Sequence, residues 1–323
     1  MQIKLSNPRG FCAGVQMAVD IVDQLLDAID DGEKLYVYHE IVHNRHVVKR
    51  LRDRGAVFVE TIDEIPENAI VVFSAHGVSP EVKTLAAKRN LTCVDATCPL
   101  VTKVHAEAIR YAKRGWQILL IGHKNHQEVV GTQGEAPDAI QVVETIEDIP
   151  NLQIADASNL VYLTQTTLSI NDAEKIISAL VETFPEIHAP PTDDICYATT
   201  NRQKVVKEDA PTADIVLVVG SKNSSNSLRL TEIAESVGTK AYLLDDVSSL
   251  NPLWLADVDS VLITAGASAP EHLVLQLIDH LKDNYNGILE GDSSFDEGMT
   301  FSMPPSLNSF LTSRSITIEG KKA

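Results

Sequence analysis

Three cysteines stand in one repeated context. Cys98 lies in Asp95-Ala96-Thr97-Cys98-Pro99-Leu100, where a β-prone run ends and an apolar-periodic helix begins. Proline suits the first helical position because the N–H it lacks has no partner there, so Cys98 is expected as the helix cap. Gly10-Phe11-Cys12-Ala13-Gly14 and Asp194-Ile195-Cys196-Tyr197-Ala198 open two further helix patterns. A thiol at the positive end of a helix is expected to be acidified toward thiolate. Three thiolates at nearly equal intervals point to three similar units converging on one soft metal centre. Three cysteines without a fourth suit an iron–sulfur cluster in which one iron keeps an open position and acts as a Lewis acid. Cys93 sits inside the β-prone run 91–95 and reads as a core residue.

Histidines carry the next signal. His43, His76 and His126 each follow a β-prone run, in loops rich in small polar residues, at equivalent places of the repeated order. One such histidine is more often structural than functional, but three equivalents beside the thiols read as a binding set. Ser224-Ser225-Asn226 and Ser268 place hydroxyl, amide and backbone donors at two helix starts, a phosphate cradle without lysine or arginine. Thr166 occupies the corresponding slot of the middle unit. Glu128 follows His126 by two residues, so an extended loop directs both to one side. A carboxyl enclosed there has a raised pKa and serves as a proton donor. His39, His46, His105 and His123 read as structural.

The elements that position these residues follow from periodicity. The first unit reads as a helix over 15–28, strands over 34–38, 56–60, 69–74 and 91–95, and a helix from Pro80 capped by Ser79. The second reads as a helix over 100–114, strands over 117–121, 140–144 and 160–163, a glycine-rich connection over 131–137, and a helix over 171–183. The third has a helix over 199–206, strands over 214–219, 241–244 and 260–264, a helix reaching 237, and another from Pro270. It lacks a closing strand, which residues 3–5 are expected to supply. Alternating strands and helices define an α/β protein with mostly parallel, doubly wound sheets. The expected division is 13–97, 98–193 and 194–283 with 1–12, followed by an arm over 284–323 that is disordered beyond Asn308.

At 323 residues with 44% hydrophobic content, the chain can bury several cores. No apolar run reaches the ~18 residues that span a bilayer, and the first residues lack a signal-peptide pattern. Four cysteines without a C-x-x-C pair fit a reducing cytoplasm better than a secreted disulfide scaffold. A net charge of −18 without a basic stripe argues against nucleic-acid binding. Any anion site must therefore be built locally.

The motifs GFCAGV (10–15), HEIVHN (39–44), SAHGVSP (74–80), DATCPLVTKVH (95–105), GHKNHQE (122–128), TQTTLS (164–169), DICYATTNRQ (194–203), GSKNSSNS (220–227) and GASAPE (266–271) run in order along the chain. In this the sequence resembles the 4-hydroxy-3-methylbut-2-enyl diphosphate reductase family, the last enzyme of the non-mevalonate isoprenoid pathway. The resemblance implies a trefoil of three αβ domains around a 4Fe–4S cluster held by Cys12, Cys98 and Cys196. It implies that the substrate hydroxyl binds the open iron. His43, His76, His126, Ser224, Ser225, Asn226 and Ser268 would hold the diphosphate, and Glu128 would supply the proton, relayed with Thr166 and His126. The implied reaction is a two-electron reductive dehydroxylation to isopentenyl and dimethylallyl diphosphates, with electrons from flavodoxin or ferredoxin. A basic patch drawn from Lys103, Lys204 and Lys222 is expected to receive such an acidic donor. Three other readings remain open from the residues alone: an iron–sulfur hydro-lyase, a cluster-based redox sensor, and a zinc-stabilised binding protein.

Overall fold

The structure is a computed structural model that describes residues 1–30, 32–291 and 296–314. The chain opens with strand β1 (Gln2–Leu5) and helix α1 (Ala13–Ala28). Strand β2 (Leu35–Tyr38), helix α2 (Arg45–Asp53), strands β3 (Val57–Val59) and β4 (Ile70–Phe73), helix α3 (Pro80–Lys88) and strand β5 (Thr92–Asp95) follow. Next come α4 (Pro99–Lys113), β6 (Gln117–Ile121), α5 (Gln127–Glu135), β7 (Ile140–Val143), β8 (Leu160–Thr164) and α6 (Ile170–Thr183). The last stretch holds α7 (Tyr197–Asp209), β9 (Ile215–Val219), α8 (Ser225–Ser236), β10 (Lys240–Leu244), β11 (Ser260–Ala265), α9 (Glu271–Tyr285), β12 (Ile288–Leu289) and α10 (Pro305–Ser313).

These strands form three sheets, ordered β3-β2-β4-β5, β7-β6-β8 and β10-β9-β11-β1-β12. Every pairing is parallel. The N-terminal β1 sits beside β11, with Ile3 opposite Val261 and Leu5 opposite Ile263. Parallel sheets need both faces covered, and the alternation of side chains supplies two cores per sheet. Leu35, Val37, Ile70 and Val72 face α1 and α2, while Tyr36, Val71 and Phe73 face the α3 side. In the second sheet Ile118 and Leu120 meet α4, and Leu119 and Ile121 meet α6. In the third, Ile215, Leu217 and Val219 meet α9, and Val216 and Val218 meet α7 and α8.

Helix starts are set by side-chain caps. Asn44 Oδ1 accepts from the N–H groups of His46 and Val47 at 3.0 and 3.1 Å. Ser79, Ser169 and Ser224 do the same for α3, α6 and α8. With parallel strands, these starts all lie at the carboxyl edges of the sheets, where doubly wound folds bind ligands.

Two expectations are corrected. Residues 131–137, expected as a glycine-rich connection, are largely helical, because α5 runs through Gln127–Glu135. Its glycines serve close packing against the next unit. A Cβ at Gly134 would stand 2.3 Å from Ser79 Cβ, and one at Gly131 would stand 3.4 Å from the Gly77 backbone. Residues just beyond Asn308, expected as disorder, belong to α10. Leu307, Phe310 and Leu311, at i, i+3 and i+4, are buried in the core beneath α1. The rest of that expectation, over 315–323, lies outside the described residues.

Gly134→Ala is expected to destabilise the protein by about 1–3 kcal/mol through overpacking at Ser79. A lowered denaturation midpoint at unchanged m-value is the expected readout. An unchanged midpoint would mean that α3 and α5 part freely.

Candidate active site: a pocket walled by three thiols

Cys12, Cys98 and Cys196 are the N-cap residues of α1, α4 and α7. Each is pinned by its own backbone N–H. Cys12 donates to the Ala267 carbonyl at 3.2 Å, Cys98 to Ala75 at 3.0 Å, and Cys196 to Thr166 at 3.0 Å. The acceptor in each case sits in the loop after a strand's carboxyl end, at or beside Ser268, His76 and Thr166. One bonding pattern, used three times, therefore brings three thiols and three polar loops to one pocket of about 680 Å³ empty volume.

The expected acidification of the thiols is overturned. Burial pushes Cys98 up to about 12 and Cys196 up to about 11, and it raises Cys12 as well. The N–H groups of Leu100 and Val101 lower Cys98, as a helix start should, but desolvation exceeds them. Neighbouring thiols add to the rise at Cys98. Without a positive partner these sulfurs keep their protons, and a soft cation is what would remove them.

The cavity is shaped for something larger than a single ion. Among the described residues, no three His, Cys, Asp or Glu side chains form a group that could hold one metal ion. All three thiols line this one pocket. Gly14 leaves the space between them open, since a Cβ there would lie 2.6 Å from Cys98 Sγ. Sulfur-only donors around a shared void fit an iron–sulfur cluster better than a tetrahedral zinc.

The histidines form the opposite wall. His43 and His76 stack at 4.0 Å between ring centroids, and His126 meets them edge-on at 5.5 and 5.8 Å. His126 caps α5, its Nδ1 accepting the Glu128 N–H at 3.2 Å, so its proton sits on Nε2. Burial, then the neighbouring histidines, lowers His76 well below its ordinary range and His126 to about 3. Ser224 Oγ caps α8, accepting from Ser227 N at 3.3 Å. Ser268 Oγ donates to the His43 carbonyl at 2.9 Å, and Ser225 Oγ to the Thr167 carbonyl at 3.0 Å. Asn226 is held at both ends of its amide, accepting from Ala267 N and donating to Thr199 Oγ1.

Glu128 sits in the first turn of α5, not in an extended loop, and is 2% exposed. Its carboxyl accepts the Thr166 N–H at 2.6 Å and contacts the Thr166 hydroxyl at 3.0 Å. Burial raises it to about 7, with a smaller push from Asp194, against the lowering effect of the Thr166 bonds. A carboxyl so poised holds its proton near neutral pH and can release it through the Thr166 hydroxyl.

All twelve residues singled out from the sequence line this one pocket: Cys12, His43, His76, Cys98, His126, Glu128, Thr166, Cys196, Ser224, Ser225, Asn226 and Ser268. Two contributors were missed. Thr199 directs its N–H and hydroxyl at Cys196 Sγ, at 3.4 and 3.2 Å. It is three residues past a helix cap, the spacing at which a cap meets the helix backbone. Gly14 follows Cys12 by two residues, and only its spatial neighbour Cys98 explains it. Of the lysines expected to form a basic patch, Lys103 is consumed internally, donating to Asp194 and to the carbonyls of Thr192 and Asp193. It braces the segment that delivers Cys196. Lys204 and Lys222 are exposed.

Fold and pocket define a three-sheet α/β protein in which three thiols, three histidines and a carboxyl line one pocket whose lining holds neither lysine nor arginine. The chain belongs to the LytB protein family, whose profile matches residues 3–282. It is 54% identical over 310 residues to a protein of Rhodopirellula baltica named 4-hydroxy-3-methylbut-2-enyl diphosphate reductase, covering 96% of this chain and 97% of that one. The protein of the same name from Hahella chejuensis is 53% identical over 311 residues, covering 95% and 98%. The solved E-1-hydroxy-2-methyl-but-2-enyl-4-diphosphate reductase of Plasmodium falciparum superposes with a TM-score of 0.93 at 37% identity, covering 97% of this chain and 98% of that one. No described helix is long and apolar enough to cross a membrane.

Glu128→Gln removes one titration. Because the fold lifts this carboxyl from 4.5 to about 7, its ionised form is the one the fold disfavours. Wild type should therefore lose stability relative to the variant as pH climbs through that window, with the gap fully open above about pH 7. Melting curves across about pH 5 to 8 measure it, and a gap that does not change with pH would refute the assignment.

Proposed function

We propose that this chain is a 4-hydroxy-3-methylbut-2-enyl diphosphate reductase. It removes the hydroxyl of (E)-4-hydroxy-3-methylbut-2-enyl diphosphate reductively, giving isopentenyl and dimethylallyl diphosphates. Relatives carry this name across nearly the whole chain, and a second solved structure, 31% identical, is titled the terminal enzyme of the non-mevalonate pathway. The observation that carries the reading is Glu128, a buried carboxyl bonded to Thr166 and raised to about 7, in the same pocket as three thiols.

Replacing an allylic hydroxyl by hydrogen consumes two electrons and two protons and releases water. We assign a 4Fe–4S cluster to Cys12, Cys98 and Cys196; when bound it supplies the electrons and a Lewis-acidic position for the alcohol. In the division into 13–97, 98–193 and 194–283 with 1–12, each interval holds the main strands of one sheet, with Cys98 opening the second unit and Cys12 and Cys196 both in the third. The pocket's own residues do the rest. Glu128 holds the proton for the departing hydroxyl, and Thr166 orients the alcohol and passes that proton on. His126 orders this acid by capping its helix. The diphosphate lies against His43, His76, His126, Ser224, Ser225, Asn226 and Ser268, and its remote binding energy positions the alcohol. Val15, Val42, Leu100 and Val101 in the lining exclude water from the reacting end. The electrons come from flavodoxin or ferredoxin, and a cytoplasmic setting suits four cysteines that form no disulfide.

Anaerobically purified protein should be brown, show a cluster EPR signal on reduction, and convert the substrate with dithionite and a viologen mediator. Glu128→Gln should retain the colour and lose about 10²–10⁴-fold in kcat. A colourless zinc protein, or a brown one that leaves the substrate intact, would overturn the reading. Turnover without reductant would instead support a hydro-lyase.

The anion wall makes a second prediction. His76 and His126 are neutral in the free pocket, and an adjacent diphosphate favours their charged forms. Binding of inorganic pyrophosphate or substrate should therefore take up protons and strengthen as pH falls. Calorimetry in buffers of different ionisation enthalpy reads the uptake, and zero uptake would remove the histidines from the diphosphate site.

A further inference from the structure

Arg202 heads the fully buried side chains by volume. It lies on the helix that Cys196 caps, and its guanidinium reaches three separate segments. Nε and Nη2 donate to the Gly10 carbonyl at 3.2 and 2.8 Å, in the loop that delivers Cys12. Nη1 donates to the Ala198 carbonyl at 3.0 Å, in the first turn after Cys196. Nη1 and Nη2 also grip both carboxylate oxygens of Glu297, at 3.2 and 3.0 Å. Asn201 adds a donor to the same carboxylate at 2.9 Å.

Glu297 belongs to the C-terminal arm, outside the strand and helix repeat. Four residues on, Phe301 reaches Gly14, one of the residues that line the pocket. Its ring edge would lie 3.9 Å from a Cβ on Gly14, the position whose other neighbour is Cys98 Sγ. Phe301 and Met303 pack with Phe11 and Val15 on the core beneath α1. From there the chain enters α10, whose Ser306 hydroxyl accepts the Asp95 N–H at 3.4 Å, on the strand leading to Cys98.

A buried ion pair is a poor source of stability, since desolvating both charges offsets their attraction. A hydrophobic pair would anchor the arm as well. What the guanidinium fork adds is geometry, several donors held in one plane and spent on two cysteine-bearing segments and one carboxylate.

We propose that Arg202 is a positioning residue for the thiol centre and that Glu297 is the latch through which it holds the C-terminal arm over the Cys12–Cys98 edge. The latch keeps water and oxygen from that edge, and its carboxylate offsets the guanidinium charge felt there. The proposal deepens the reductase reading and rests on it for the cluster, while the latch itself is a property of the protein alone.

Truncating Arg202 would strand a buried carboxylate and endanger folding, so the test works from the other partner. In Glu297→Ala, hydrogen exchange over residues 296–304 should quicken by about tenfold or more. The cluster's visible absorbance should also bleach several-fold faster in air. Glu297→Gln keeps an acceptor for the fork but removes the negative charge. Its exchange and bleaching should stay near wild type, while its reduction potential, from an EPR-monitored titration, shifts positive because the uncompensated cation favours the more negative reduced cluster. Wild-type exchange and bleaching in Glu297→Ala would overturn the latch, and an unmoved or negative potential in Glu297→Gln would overturn the charge role. If wild type holds no iron, the cluster reading fails, and exchange in the metal-free protein still decides whether the latch exists.

Discussion

The pocket depends on helix starts that aim at one place while their capping groups are kept out of water. Cys12, Cys98 and Cys196 cap α1, α4 and α7, His126 caps α5, and Ser224 caps α8. Each start brings unpaired backbone N–H groups and the positive end of a helix dipole. On the proposed function, their sum would let a chain of net charge −18 hold a polyanion in a pocket lined by neither lysine nor arginine. The positive potential is made of backbone, so it needs no flexible side chains and leaves the acidic surface unchanged.

The same burial shifts six titratable groups of the site. It raises the three thiols, lowers His76 and His126, and lifts Glu128 to about 7. All of these shifts favour the neutral form, as desolvation must. On the proposed function, charge would enter this pocket in compensating pairs, a cationic centre for the thiols and an anion for the imidazoles. Glu128 differs in that its neutral form is the useful one. Its Thr166 contacts keep the carboxyl from rising so far that it could no longer give up a proton.

One architecture is used three times, with different chemistry grafted onto each copy. The bonds from Cys12 N to Ala267, Cys98 N to Ala75 and Cys196 N to Thr166 are geometrically equivalent. Yet the loops they hold offer a serine, an imidazole and a threonine in turn. Repetition brings the loops together, and on the proposed function divergence within them separates anion binding from proton delivery. The C-terminal arm stands outside this scheme, joined to it by the Arg202–Glu297 pair and by the apolar stripe of α10.

Much of this was legible in the chain, because the signals are local. Pro99 after Cys98 marks a helix start, and continuous β-branched runs mark fully buried strands such as Ile215–Val219. The repeated order of strand, polar loop and helix puts the three cysteines in one shared context and His43, His76 and His126 in another. What failed was whatever depends on distant neighbours. The thiols are not acidified, because the desolvation that exceeds the helix dipole arises only when three units close around them. Gly131 and Gly134 read as loop residues until Gly77 and Ser79 of another unit are seen to press on them. The α10 helix was missed because its stripe of Leu307, Phe310 and Leu311 is short and becomes meaningful only against α1. Arg202 carries no local signal, because its partners lie at Gly10 and Glu297. The sequence by itself determined which elements form and which groups stand at their ends, since caps, turns and periodicity act over a few residues. Only the tertiary structure decided their protonation and their close packing, because burial and long-range contact exist only once the sheets have met.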